Sequence, residues 1–174
     1  PLIWNFSNFV SMDIAANALL AIGASPAMAH AKEEANDFSQ ICKAINGALT
    51  INIGTFDPYW QECAQEAAKQ ASQNEVPWVL DPVGAGASKF RNKNVEELIS
   101  LFPKNAIFYL TQPSIPRAMP LDRLEQIADG KRINYKRFEN VELALEAAKI
   151  QATQDDIIFI GGSTFVVADL LSIV

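Results

Sequence analysis

Short apolar runs rich in β-branched and aromatic side chains recur at Leu2 to Phe6, Ala48 to Ile53, Trp78 to Leu80, Ala106 to Leu110 and Ile157 to Ile160, with weaker versions at Ala27 to Ala29 and Ile133 to Tyr135. Continuous rather than alternating apolar character suits strands covered on both faces. Between these runs, apolar residues fall at helical spacing over Met12 to Ile22, Glu33 to Ile45, Pro58 to Gln73, Val95 to Leu101, Leu121 to Ala128 and Val141 to Ala152, and a last helix runs from Val166. Strand and helix alternate throughout. The pattern therefore predicts a three-layer α/β/α fold around a mostly parallel sheet of repeated βα units.

Boundary residues sharpen the expected helices. Asp57 before Pro58 is an N-cap and first-turn pair, Asn94 with Glu97 has capping-box spacing, and Asn140 caps the helix that follows it. Gly23 and Gly130 are expected as left-handed stops.

The 174 residues suit one domain, and 49% hydrophobic with 20% charged residues is a globular composition that should fold. A net charge of −6 is the wrong sign for a phosphate backbone, so no nucleic-acid partner is expected. No apolar run is long enough to span a bilayer and no leader-like start is seen, so no membrane partner and a cytoplasmic location are expected. Cys42 and Cys63 lie in helix-like stretches without metal-ligand spacing; they read as free structural thiols, and no metal site is expected. His30, the one histidine, has no neighbouring nucleophile or carboxylate pair and reads as structural.

Three loops follow strands, where open α/β sheets bind ligands: Asn52-Ile53-Gly54-Thr55, Asp81-Pro82-Val83-Gly84-Ala85-Gly86-Ala87 and Gly161-Gly162-Ser163-Thr164. A Gly-rich turn entering a helix presents backbone N–H groups to an anion. That makes Gly84, Gly86, Gly161, Gly162, Ser163 and Thr164 phosphate candidates; the same glycines also serve tight turns and close packing. Asp81 either holds magnesium or takes a proton during phosphoryl transfer, or caps its own turn.

Segments Asn8-Phe9-Val10-Ser11-Met12-Asp13-Ile14-Ala15-Ala16-Asn17, Gly23-Ala24-Ser25-Pro26-Ala27-Met28, Asn52-Ile53-Gly54-Thr55 and Leu80-Asp81-Pro82-Val83-Gly84-Ala85-Gly86-Ala87 resemble, in order and spacing, the hydroxyethylthiazole kinase family. The resemblance covers Pro1 to roughly Leu101 and implies a Rossmann-like, ribokinase-like fold. It further implies ATP- and magnesium-dependent phosphorylation of hydroxyethylthiazole by a trimer with sites between subunits. The implied thiazole-pocket positions are Asn8, Val10, Met28, Gly54 and Thr55, with Asp81 and the following glycines beside the phosphates. The stretch Asn5-Phe6-Ser7-Asn8 departs from the family's Cys-Ile-Thr-Asn.

Beyond Leu101, Phe108-Tyr109-Leu110-Thr111-Gln112-Pro113 stands where that family carries Arg-Gly-Asn-x-x-Glu, and its late Gly-Thr-Gly-Cys segment is missing. From about Asn105, the segments Phe108 to Gln112, Ile115-Pro116-Arg117-Ala118, Val141 to Ala148 and Asp155 to Val167 resemble the C-terminal domain of folylpolyglutamate synthase, also called dihydrofolate synthase. Two incomplete sites imply an engineered or recombined chimera joined near Lys104, with no catalytic residues, no enzymatic turnover and no cofactor; ATP and magnesium enter only with surviving kinase activity. Self-association through exposed former interface surfaces completes the expectations; the strand order across the join stays open, and a sheet running or breaking at Phe108 to Leu110 decides it.

Overall fold

In the computed structural model, which describes residues 1–116, 118–154, 156–161 and 164–174, the first apolar run forms β1 (Leu2–Phe6) inside a four-stranded sheet. Strands β2 (Ser25–Ala27), β3 (Ala48–Asn52) and β4 (Trp78–Asp81) complete it in the order β2-β1-β3-β4, and every pairing is parallel. Trp4, Asn5 and Phe6 are successive and all buried, so both faces of β1 are covered, as its unbroken apolar run requires. Trp4, Phe6, Leu49, Ile51 and Ile53 are the large core side chains. Each such burial contributes ~1.5–3 kcal/mol.

Helices α1 (Met12–Ala21), α2 (Ala35–Ala44), α3 (Pro58–Gln73) and α4 (Lys89–Ile99) alternate with these strands, and a short 3₁₀ turn at Lys32–Glu34 precedes α2. The α3 limits match the expected ones because Asp57 is extended and its carboxylate accepts the Trp60 backbone N–H at 2.8 Å. Ala64, Ala67, Ala68 and Ala71 make the inward stripe of α3, small enough to let it approach the sheet and α2 closely. Gly23 has φ +81° and stops α1 as expected.

Several local expectations are corrected. β2 lies two residues early because Leu2 to Trp4 pair with Ser25 to Ala27, after which the Ala29 carbonyl accepts the Trp4 indole N–H instead of a ladder partner. Helix α4 begins at Lys89, capped by the Ser88 hydroxyl, and not near Val95. Asn94 is thus mid-helix, fully buried, its amide donating back to the Phe90 carbonyl at 2.8 Å.

The chain divides into two compact units, Pro1–Phe102 and Pro103–Val174, where the sequence pattern suggested a single domain. The second unit has its own parallel pair, β5 (Phe108–Leu110) with β6 (Tyr135–Arg137), together with α5 (Leu121–Lys131), α6 (Val141–Gln151) and α7 (Thr164–Leu171). The strand order across Lys104, left open by the sequence, resolves among the described residues into two separate sheets, with Phe108 to Leu110 paired to β6. Asn140 caps α6, accepting the Leu143 N–H at 2.9 Å. Gly130 lies inside α5, and Arg132, at φ +54°, takes the left-handed stop. Ile157 to Ile160 form no strand; they have no pairing partner among the described residues, and Ile157 and Phe159 are exposed. Among the described residues no helix is long and apolar enough to cross a membrane.

Candidate functional site

Parallel strands deliver their carboxyl ends to one edge of the sheet, and in the first unit that edge gathers Asn8 after β1, Met28 after β2, Asn52 to Thr55 at the end of β3, and Asp81 at the end of β4. Asn8 is buried and uses both ends of its amide. Its Oδ1 accepts from the Val10 and Ser11 backbone N–H groups at 2.9 and 3.0 Å, turning the chain into α1, while its Nδ2 donates to Asn52 Oδ1 at 2.6 Å. Asn52 in turn donates through Nδ2 to Asp81 Oδ2 at 2.8 Å. An unbroken side-chain relay therefore crosses three adjacent strands.

Gly54 and Thr55 close over this relay. The Gly54 N–H donates to Asn52 Oδ1 at 2.9 Å, and the Phe9 N–H donates to the Thr55 hydroxyl at 2.9 Å, tying the loop after β3 to the loop after β1. A Cβ on Gly54 would sit 2.7 Å from Asn8 Nδ2 and 2.9 Å from its Cγ, so only glycine permits this approach. Val10 is 82% exposed and Met28 half-buried beside the same edge.

Asp81 is half-buried, and burial pushes its carboxyl above the usual aspartate value while the bond from Asn52 pulls the other way. It does not cap its own turn through its side chain; its backbone carbonyl accepts the Val83 and Ile53 N–H groups. The loop from Pro82 to Ser88 turns through left-handed Gly84 and Gly86, at φ +74° and +89°. Its Val83, Ala85 and Ala87 amides donate to loop carbonyls, and the Gly86 amide donates to Asn92 Oδ1 at 2.7 Å. Close turns thus account for these glycines.

Behind the edge, His30 accepts the Ser7 N–H at Nε2 (3.1 Å) and stacks on Trp60 with centroids 4.7 Å apart. Burial holds its pKa below the ordinary histidine value. The two cysteines are free and buried, and burial pushes the Cys42 thiol up. Gly162 and Ser163 lie outside the described residues; Gly161 packs against Phe159, and Thr164 opens α7. Among the described residues no three His, Cys, Asp or Glu side chains converge on one point.

Two residues at this edge escaped sequence reasoning. Asn52 stood in a recognised loop motif, but its role as the middle of the relay needs the β3–β4 register that pairs it with Asp81. Arg91 carried no local signal. Its guanidinium reaches back from α4 to the carbonyls of Ile53, Gly54 and Val83.

The model of the hydroxyethylthiazole kinase family matches residues 1–110. Hydroxyethylthiazole kinase of Rhizobium rhizogenes is 41% identical over 172 residues, covering 97% of this chain and 59% of that protein. The enzyme of that name from Brachyspira hyodysenteriae is 38% identical over 173 residues, covering 97% and 60%. A solved structure of hydroxyethylthiazole kinase protein from Pyrococcus horikoshii OT3 matches with TM-score 0.55 and 44% identity, over 64% of this chain and 41% of that one.

The fold is thus an α/β architecture with a mostly parallel sheet, of the ribokinase-like class. Within that class, the chain belongs to the hydroxyethylthiazole kinase family. It spans 59% of the Rhizobium rhizogenes relative and 60% of the Brachyspira hyodysenteriae one.

These matches overturn the chimera. Alignments to hydroxyethylthiazole kinases cover 97% of the chain and so include most of residues 105–174, the stretch that resembled folylpolyglutamate synthase. A second parent, an engineered or recombined origin, and the expectations of no native function, no enzyme and no catalytic role drawn from them are withdrawn.

Proposed function

We propose that this chain supplies the thiazole-binding and phosphate-facing edge of a kinase that transfers a phosphoryl group from ATP to the hydroxyl of hydroxyethylthiazole. The observation that carries the reading is the relay Asn8–Asn52–Asp81, which ties the implied thiazole positions to the carboxylate at the end of β4. Asn8, Val10, Met28, Gly54 and Thr55 form the thiazole side; Asp81, Gly84 and Gly86 form the phosphate side.

Phosphoryl transfer is catalysed chiefly by positioning and charge stabilisation, with a base receiving the hydroxyl proton. Asp81 suits that task. Its raised pKa makes it a better proton acceptor than an ordinary aspartate, and the bond from Asn52 fixes one of its oxygens. A single carboxylate also fits magnesium, which is commonly held by one or two carboxylates with phosphates and water. Bound there, the ion would neutralise phosphate charge. Phosphate oxygens would meet the loop at Gly84 and Gly86, where Asn92 now stands in as acceptor for the Gly86 amide.

Self-association belongs to this reading. Helix α1 buries none of its residues, and Val10, Ile14 and Ile22, at 82%, 71% and 80% exposure, leave an apolar surface continuous with the thiazole-side residue Val10. A second copy packed on it would cover the thiazole side of the edge. Sedimentation equilibrium should give a mass above the monomer, reduced by Ile14→Glu. The function itself is tested by ADP release with ATP, magnesium and hydroxyethylthiazole: thiazole-dependent turnover that Asp81→Ala abolishes is expected, and its absence in the parent protein would remove the reading.

A further inference from the structure

Arg91 is half-buried on α4, and its guanidinium spans two loops that carry opposite sides of the proposed site. Nη1 donates to the Ile53 carbonyl at 2.6 Å and the Val83 carbonyl at 2.8 Å; Nη2 donates to the Gly54 carbonyl at 2.8 Å. Ile53 and Gly54 belong to the loop that packs on Asn8 and Asn52. Val83 belongs to the loop between Asp81 and Gly84. Among the described residues no carboxylate forms an ion pair with Arg91; both terminal nitrogens donate to backbone carbonyls.

The loops are shaped to receive it. A Cβ on Gly84 would lie 3.2 Å from Arg91 Cδ and Nε, so the glycine leaves the strip of space along which the arginine lies. The start of α4 is held independently: the Ser88 hydroxyl accepts the Arg91 N–H, and Asn92 accepts the Gly86 N–H. Helix, glycine loop and β3 loop are thereby joined through one residue.

We propose that Arg91 is a positioning residue that clamps the thiazole-side loop at Ile53 and Gly54 to the phosphate-side loop at Val83, fixing the distance between the acceptor hydroxyl and Asp81. The proposal rests on the thiazole kinase reading for its consequence in catalysis, but the clamp is a property of the protein alone. A planar fork with several fixed donors bridges three carbonyls; an ammonium group reaches the same span only by giving up that fixed geometry. Since an ångström of misplacement costs transfer reactions heavily, loss of the clamp lowers kcat more than it raises KM for the thiazole.

The test uses Arg91→Lys and Arg91→Ala in the full chain, with two readouts. Amide hydrogen exchange without ligand should accelerate in the segments around Ile53 to Thr55 and Val83 to Gly86 while α3 remains protected. Steady-state kinetics should show kcat lowered by roughly tenfold or more with KM for hydroxyethylthiazole little changed. Added guanidinium ion should restore part of the Ala variant's turnover, a rescue that general loss of folding would not give. Unchanged exchange in both loops, or parental kcat in both variants, would overturn the clamp. Accelerated exchange in a protein whose parent form lacks thiazole-dependent turnover would instead uphold the clamp and remove the kinase reading, so the two failures are distinct.

Discussion

Asn52 and Asp81 are register partners at the ends of β3 and β4, and the Asn52 amide donates to Asp81 Oδ2 at 2.8 Å. Because Asn52 Oδ1 is already the acceptor for Asn8 and for the Gly54 N–H, the amide can present only its Nδ2 to the carboxylate. Asn52→Ala removes all three bonds and leaves Asn8 Nδ2 without its acceptor in a buried setting. Thermal or urea denaturation should show a loss of about 1–3 kcal/mol. A variant as stable as the parent would show that the relay does not hold the strand ends together.

Asp81 supplies a pH test whose sign follows from its direction of shift. Burial raises its folded pKa, so the carboxyl favours the protonated form and its contribution to stability is full below the ordinary aspartate value and lost as pH rises through the folded pKa. At neutral pH the charge is therefore held at a cost. Asp81→Asn, neutral and of the same shape, should melt higher than the parent at neutral pH, and the advantage should vanish in acid. The same variant should lose turnover. Equal melting at neutral pH would count against a strained carboxylate.

The larger sheet was legible because its strands are unbroken apolar runs and its helices carry local stop and start chemistry; Asp57 before Pro58 placed α3 to the residue. What stayed hidden was set by contacts distant in sequence. Asn94 matched a capping spacing, yet Ser88 supplies the cap because the chain leaves its glycine loop six residues earlier. Ile157 to Ile160 read as a strand from composition alone, but a strand needs a neighbour. At the site, Asn8, Gly54, Thr55 and Asp81 stood out by motif, whereas the roles of Asn52 and Arg91 exist only once β3 and β4 lie side by side. Short motifs in residues 105–174, taken one at a time, resemble a second family, and alignment over nearly the whole chain outweighs them.

Gly54→Ala tests the close approach over the relay. The new methyl would fall 2.7 Å from Asn8 Nδ2 and 3.1 Å from Asn52 Oδ1, and Asn8 cannot retreat without releasing the Val10 and Ser11 N–H groups. Overpacking of this kind costs about 1–3 kcal/mol. Calorimetry should also show weaker binding of hydroxyethylthiazole. Parental stability and affinity together would mean that the loop after β3 yields freely.

His30 gives the opposite pH signature. Its Nε2 accepts the Ser7 N–H at 3.1 Å, which a protonated ring cannot do, and stacking on Trp60 keeps it partly from water. Burial is the dominant influence and depresses the folded pKa below 6.5. In the window between that depressed value and 6.5, the unfolded chain binds more protons at this residue. Stability from His30 is accordingly full above 6.5 and lost as pH falls through the folded value. His30→Gln keeps an acceptor for the Ser7 amide and never titrates. Melting curves from about pH 8 to about pH 5, a span that brackets the ordinary histidine value, should therefore fall less steeply for the variant than for the parent. Ring-proton NMR of the parent should show a midpoint below 6.5. Parallel melting profiles with an ordinary midpoint would place His30 in contact with solvent and release Ser7 from it.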